Sequence, residues 1–384
     1  MAQRVQTDWI LFFTILAMVA FGLLMVYSAS SVVADVRYGS STYFLMRQLG
    51  WAVGAVVLMM VLKRKDFRTF NSPWWAFASI GVVLALLLLV YFLDPRAHRW
   101  LRIGSVGIQP SEFAKPALVI FLSYFVTRRE QVINNRYTLL PAAMAVGFVA
   151  VAVVVADLGT AVVLTAAAGA IFYVAGIKRR YFIFAFLIVA VAVGLAIISK
   201  PYRMVRIFAH VDPEFKLLET KAVKLFDSEG KFKRFLQRSA ASRDPDYHVR
   251  QSLIAVGSGG PIGLGPMQGR QKLFYLPEAH TDFIYAVIGE ELGLWGCLMV
   301  VAGFLVILWR GLRLAFNTPD RFGRYLALGV TTVVVAQAFF NISVVLAVVP
   351  PKGIPLPMIS YGGSSLMSTL ISLGLLQSVG EHSG

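Results

Sequence analysis

LPEAHTDFIYAVIGEELG, Leu276 to Gly293, decides how the rest of the chain is read. From Phe283 onward it has the apolar character of a membrane helix, and the run continues to Trp309. Yet it opens on Glu278, His280 and Asp282, and Glu290 and Glu291 follow two turns deeper. A carboxylate near hydrocarbon is costly unless water, a charge or a hydrogen-bond donor meets it. The question is which other parts of the chain can supply those partners.

The 384 residues are 58% hydrophobic, with a mean hydropathy of +0.70. That is too apolar for an ordinary soluble domain. Apolar runs recur over 9–29, 43–62, 73–93, 113–126, 139–156, 158–176, 181–199, 281–309, 325–349 and 364–380. Most approach the roughly 20 residues that cross a bilayer as a helix; the fourth is short and begins inside QPSEF. The pattern predicts an all-α polytopic membrane protein of about ten transmembrane helices, one integral membrane domain over 1–384. A large extracytoplasmic loop, 200–280, joins helices 7 and 8. Unbroken runs argue against a β-barrel. Arg4, the run Trp9 to Val26 and the following YSASS imitate a signal peptide, but the spans behind them favour an uncleaved first helix. The single cysteine, Cys297, excludes an internal disulfide and belongs to packing. The five histidines show no metal-ligand spacing.

Formal net charge is +16. The short segments assigned to one side are Arg4, KRKDFR at 63–68, Arg128, Arg129, Arg136, KRR at 178–180, Arg310, Arg313, Arg321 and Arg324. Together they hold 15 Lys and Arg, which places both termini in the cytoplasm. The long loop faces outward. From 200 to 275 it carries 14 Lys or Arg against 7 Asp or Glu, a surface that attracts lipid headgroups, pyrophosphate or an acidic partner. No nucleic-acid reading motif accompanies it. Within the loop, Lys216 to Arg238 reads as a basic amphipathic helix interrupted at Asp227–Gly230, or equally as a solvated linker. QSLIAVGSGGPIGLGPMQG, 251–269, reads as a short helix and a flexible turn, re-entrant-like in character. Its glycines either let backbone approach a ligand or simply form loop.

Two more polar stretches fall on the outward side. HRWLRIGSVGIQPSEFAKP, 98–116, holds Arg99, Trp100, Arg102, Gln109, Glu112 and Lys115, with Ser111 a candidate helix cap beside Pro110. VVPPKGIPLPMISYGGSS, 348–365, is irregular backbone, which membrane depth tolerates only inside protein or beside a cavity; Lys352 is its charge. Asp157-Leu158-Gly159 makes a tight turn between two spans. Thr281 is a candidate cap for the eighth span, with Asp282 in its first turn, a position the helix dipole favours for structural reasons alone. Glu290 and Glu291 read as structural acids paired to a basic residue of another span. A chemical reading is also open. Asp282 can take a proton from a sugar hydroxyl that attacks a phosphate-activated anomeric carbon, while Lys352, Arg99 and Arg102 hold a lipid pyrophosphate. A proton-coupled transporter uses the same kinds of group, and the residues alone leave both open.

HRWLRIGSVGIQPSEFAKP, Asp157-Leu158-Gly159-Thr160, QSLIAVGSGG, LPEAHTDFIYAVIGEELG and NISVVLAVVPPKGIPLPMISYGGSS follow in one order. Together they resemble the shape, elongation, division and sporulation (SEDS) family over essentially the whole chain. PEAHTDFI, GEELG, QAFFNISVV and PPKGIPLP look closer to its division branch than to its rod-shape branch. The resemblance implies a peptidoglycan glycosyltransferase that polymerises lipid II at the outer face of the bacterial cytoplasmic membrane. It implies a class B penicillin-binding protein transpeptidase and other division proteins as partners, and a donor glycan carried on undecaprenyl pyrophosphate, attacked with inversion. Asp282 then looks like the general base for the acceptor 4-hydroxyl. Glu278, His280, Lys352, Arg99 and Arg102 match positions that line the cavity and bind substrate. Asp157, Gln109, Ser111, Glu290 and Tyr361 take structural roles. The serines of SYGGSS, 360–365, lack a paired histidine and read as packing and helix start. A divalent cation such as Mg or Mn is implied by the family, without a ligand pattern in this sequence. One departure stands out: 214–243 looks enlarged and basic, and Asp246-Tyr247-His248 stands where a glycine–tyrosine pair is common, which bears on partner contact. The alternatives are a lipid II flippase, for which no convincing internal repeat is found, and a non-catalytic scaffold.

Overall fold

A computed structural model describes residues 7–94, 99–103, 106–198, 247–273, 275–350 and 352–383. Eleven α-helices and one small hairpin lie among them: α1 Trp9–Tyr38, α2 Tyr43–Arg64, α3 Pro73–Leu93, α4 Pro110–Arg129, α5 Arg136–Ala156, α6 Leu158–Val174, α7 Arg179–Ile198, α8 Tyr247–Gly259, α9 Ile284–Asn317, α10 Arg321–Val345 and α11 Gly363–His382. Strands β1 Leu101–Ile103 and β2 Val106–Ile108 pair antiparallel, Arg102 opposite Gly107.

Local chemistry sets the helix ends. Asp8 accepts from the Leu11 amide at 3.1 Å, and Ser72 caps α3 ahead of Pro73. Asp157 ends α5 and caps α6, accepting from the Gly159 amide at 3.0 Å and the Thr160 hydroxyl at 2.6 Å. That is the tight turn expected there. Helix α1 continues to Tyr38, well past the apolar run that closes at 29. Its small polar residues Ser28, Ser30 and Ser31 are buried: Ser28 donates to Glu291, and Ser30 to the Val26 carbonyl.

Helix α10 is buried along most of its length and packs against α4, α6, α9 and α11. The outer faces are apolar instead: Trp74, Phe92, Phe148, Phe184 and Phe339 are all mostly exposed. Such a surface is matched by hydrocarbon rather than water. Six of the described helices are long and apolar enough to cross a membrane, namely α1, α2, α3, α5 (through Val154), α9 and α10; α6 is apolar but shorter. The molecule is therefore an all-α, multi-pass membrane protein.

Chain direction sorts the two ends of the bundle. At one end, Asp8 meets Arg310 at 2.8 Å, and Glu381 meets Lys63 at 3.1 Å and the Thr7 hydroxyl at 2.6 Å. The opposite end gathers the starts of α2, α4, α6, α9 and α11 and the close of α10. Three of the polar stretches singled out in the sequence meet there.

Two expected caps are corrected. Helix α9 starts at Ile284 with Phe283 at its N-cap, so Asp282 stands ahead of the helix rather than in its first turn. Thr281 instead donates its hydroxyl to Glu278, at 2.9 Å to the carboxylate. At α4 the N-cap is Gln109, and Ser111 lies inside the first turn. The basic stretch 216–238 and the whole of the enlarged segment 214–243 lie outside the described residues.

Candidate functional site

Asp282 is partly buried, held by its backbone rather than by helix geometry. Its carbonyl accepts from Asn341 Nδ2 at 2.8 Å. The carbonyls of its two predecessors are held as well: Thr281 by Ser360 Oγ at 2.5 Å, and His280 by the Tyr361 amide at 2.9 Å. Gln48, buried on α2, fastens the clamping residues themselves, donating to the Ser360 carbonyl at 3.3 Å and accepting from the Gly362 amide at 3.1 Å. The irregular loop between α10 and α11 thus wraps the approach to α9. Gly353 lies against the Asp282 carboxylate so closely that an added Cβ would come within 2.5 Å of Oδ2.

Among the described residues no side chain donates a hydrogen bond to that carboxylate. Burial dominates its electrostatics and pushes its pKa up to about 7. Arg99 opposes the rise, while Glu278, Asp157 and Glu112 reinforce it. A carboxyl poised near neutrality, with its oxygens unclaimed, suits proton abstraction. Burial also lowers the pKa of His280, whose ring packs between Phe44 and Tyr361 at 4.7 and 5.6 Å. This is a packing environment for a neutral imidazole.

The other acids are occupied. Asp157 caps α6 and lies 3.8 Å from Lys352 Nζ. Glu112 accepts from Lys115 at 2.6 Å, and Lys115 also donates to Gln337 at 2.6 Å. Among the described residues no group of three or more His, Cys, Asp or Glu is placed to hold a metal ion.

Arg99 and Lys352 bring positive charge to the same end of the bundle, through Asp282 and Asp157 respectively. Arg102 is exposed on β1. Gln109 donates to Ser111 at 2.9 Å, both buried where α4 begins. Glu290 and Glu291 stand apart from this cluster. Glu290 accepts the Arg270 and Gln271 amides at 2.7 and 3.1 Å; Glu291 accepts Lys272 Nζ at 2.6 Å and Ser28. The expected basic partner from another span is thus replaced by the glycine-rich loop's own backbone and lysine. The reason lies in α9. Gly293 adopts φ 63°, which breaks the helix, and Leu264 and Gly265 donate to the carbonyls of Glu290 and Glu291.

Sequence reasoning missed Gln48, Gln337, Asn341 and the positioning role of Ser360. The signal was available: neutral amides inside apolar spans are themselves costly without partners.

Helices, hairpin and loop define a class: a multi-pass membrane protein with an acid–base cluster at one mouth of its bundle. The model of the FtsW, RodA and SpoVE family, described as "Cell cycle protein", matches residues 8–384, and the chain belongs to that family. It is 34% identical over 391 residues to "Stage V sporulation protein E" of Bacillus subtilis, covering 99% of each chain. It is 35% identical over 379 residues to "Probable peptidoglycan glycosyltransferase FtsW" of Geobacter metallireducens, covering 97% of this chain and 94% of the relative. Among solved structures, a chain from work on coordination of polymerization and crosslinking by a peptidoglycan synthase complex matches with TM-score 0.72 and 26% identity, over 98% of both chains. The rod shape determining protein RodA of Thermus thermophilus matches with TM-score 0.65 and 25% identity, over 99% of this chain and 98% of that one.

Proposed function

We propose that this protein is a peptidoglycan glycosyltransferase that polymerises lipid II in cell division, with Asp282 as its general base. The observation that carries the assignment is the state of that carboxyl: backbone clamped on three successive carbonyls, oxygens unclaimed among the described residues, and pKa raised by burial to about 7. In the proposed step Asp282 takes the proton of the acceptor 4-hydroxyl. The acceptor oxygen bonds to the anomeric carbon of the donor glycan from the face opposite its pyrophosphate. The bond from that carbon to the pyrophosphate oxygen breaks, and undecaprenyl pyrophosphate leaves with the electron pair. Attack on an α-linked donor gives a β-linkage. Arg99, Lys352 and Arg102 favour the pyrophosphate charge, and Glu278 and His280 line the approach.

The mouth that holds Asp282 faces outward in this reading, with ten spans, both termini in the cytoplasm and 200–280 on the outer side. Positive short loops on the opposite side support that orientation. A class B penicillin-binding protein transpeptidase is the proposed partner, in keeping with the synthase complex whose chain shares this fold. The test is reconstitution with that partner in sealed vesicles with fluorescent lipid II. The proposal requires glycan strands; translocation of lipid II without strands would establish the flippase reading in its place.

A further inference from the structure

Asn341 sits on α10 in the stretch QAFFNISVV, 1% exposed. Its Nδ2 donates to two carbonyl oxygens, that of Asp282 at 2.8 Å and that of Ile354 at 2.7 Å. Both hydrogens of one nitrogen are used, and its buried Oδ1 accepts nothing among the described residues. The amide can point only this way, since the reverse would set oxygen against two carbonyl oxygens. Few side chains could replace it. Leucine and ionised aspartate share its shape but donate nothing, serine donates once, and glutamine is one methylene longer.

One turn earlier, Gln337 repeats the device. Its Nε2 donates to the Pro355 carbonyl at 2.9 Å, and its Oε1 accepts from Lys115 at 2.6 Å. Two amides, four residues apart on one rigid helix, therefore hold consecutive carbonyls of the loop. The residue before them is Gly353, which walls the Asp282 carboxylate. Asn341 is the atom-level junction between this wall and the backbone of the acid itself.

We propose that Asn341 is a positioning residue for glycan polymerisation: its single amide nitrogen sets the spacing between the Asp282 backbone and the Gly353–Ile354 wall, and so aims the carboxylate at the acceptor hydroxyl. The proposal rests on the reading of Asp282 as general base. The charged groups that act on Asp282 come from separate elements: Arg99 from the segment before β1, Glu112 from α4, Asp157 from the α5–α6 turn with Lys352 beside it, and Glu278 from its own segment. Replacing Asn341 leaves all of them in place, so a change in how Asp282 titrates would report its altered setting.

The experiment compares the full chain with Asn341→Leu and Asn341→Ala, neither of which adds a charge, each reconstituted with the partner transpeptidase and lipid II. Thermal melting in detergent is followed in parallel. Loss of aim by about an ångström costs on the order of a hundredfold in rate. Both variants are expected to lose kcat on that scale with KM for lipid II kept, to shift the midpoint of the rising limb of the pH–rate profile, and to melt as folded proteins. Full activity in either variant would overturn the proposal. So would a loss that merely follows folded yield with the midpoint unmoved, or a raised KM at unchanged kcat. Failure of the native chain to form glycan strands would count against the polymerase reading itself, and is visible separately in the unsubstituted control.

Discussion

Lys272 Nζ lies 2.6 Å from Glu291 Oε1, with the two side chains 3% and 0% exposed. This pair is the fastening between the glycine-rich loop and the broken helix α9. Removing one partner strands a buried charge, which costs about 3–5 kcal/mol. Lys272→Met and Glu291→Leu are each expected to lower the melting temperature clearly. The double replacement should recover much of the loss, because neither charge is then left alone. Additive losses in the double variant would show that the pair is not the fastening.

Asp282 itself should destabilise the native state at neutral pH. Its folded pKa of about 7 exceeds its ordinary value of 3.8. Between those values the native state binds more protons than the unfolded chain, so stability falls as pH rises from about 4 to about 7. Above that window the whole penalty is present, at about 1.4 kcal/mol for each pKa unit. Asp282→Asn should therefore melt higher than the native protein at pH about 8 and approach it at pH about 4. An Asn variant that melts lower at the alkaline end would refute the burial argument.

Lys352 is 22% exposed and 3.8 Å from Asp157, so it can turn toward an incoming pyrophosphate. A charge-assisted contact of about 1.5–3 kcal/mol corresponds to roughly a tenfold to hundredfold loss in kcat/KM for Lys352→Met, with folded yield kept. A normal kcat/KM would remove Lys352 from substrate binding; reduced folded yield alone would make its role structural.

Gly22 on α1 backs directly onto the loop that wraps Asp282. A Cβ there would come 2.5 Å from the Met358 carbonyl oxygen and 2.7 Å from Ile359 Cα. Backbone cannot yield as a side-chain tip can, so Gly22→Ala is expected to cost about 1–3 kcal/mol and to slow polymerisation by displacing the loop. Unchanged melting and rate would mean that α1 and the loop are free to separate.

The helical fold was legible because apolar runs of membrane length have few other solutions. So were the turn at Asp157 and the convergence of the polar stretches on one end, since chain direction alone dictates both. The ends of α1 and α9 were less legible. Ser28 looks like the start of a loop until Glu291 and Lys272 are seen to meet it, and Thr281 looks like a cap until Ser360 and Tyr361 are seen to hold its neighbourhood in turns. The partners of Glu290 are backbone amides, which no residue type announces. Asn341 and Gln337 were visible as amides four apart in an apolar helix, but their targets are carbonyls of a distant loop, and only tertiary structure pairs them.

Asp282 as the base that deprotonates the acceptor is tested most directly by initial rates of glycan polymerisation, measured with the partner from about pH 5.5 to about pH 8.5 for the native chain and for Asp282→Asn. The rate of the native chain should climb to a plateau with a midpoint near 7, and the Asn variant should form almost no polymer at any pH. Comparable polymer from the Asn variant, or a native profile with no rising limb in that range, would contradict the assignment.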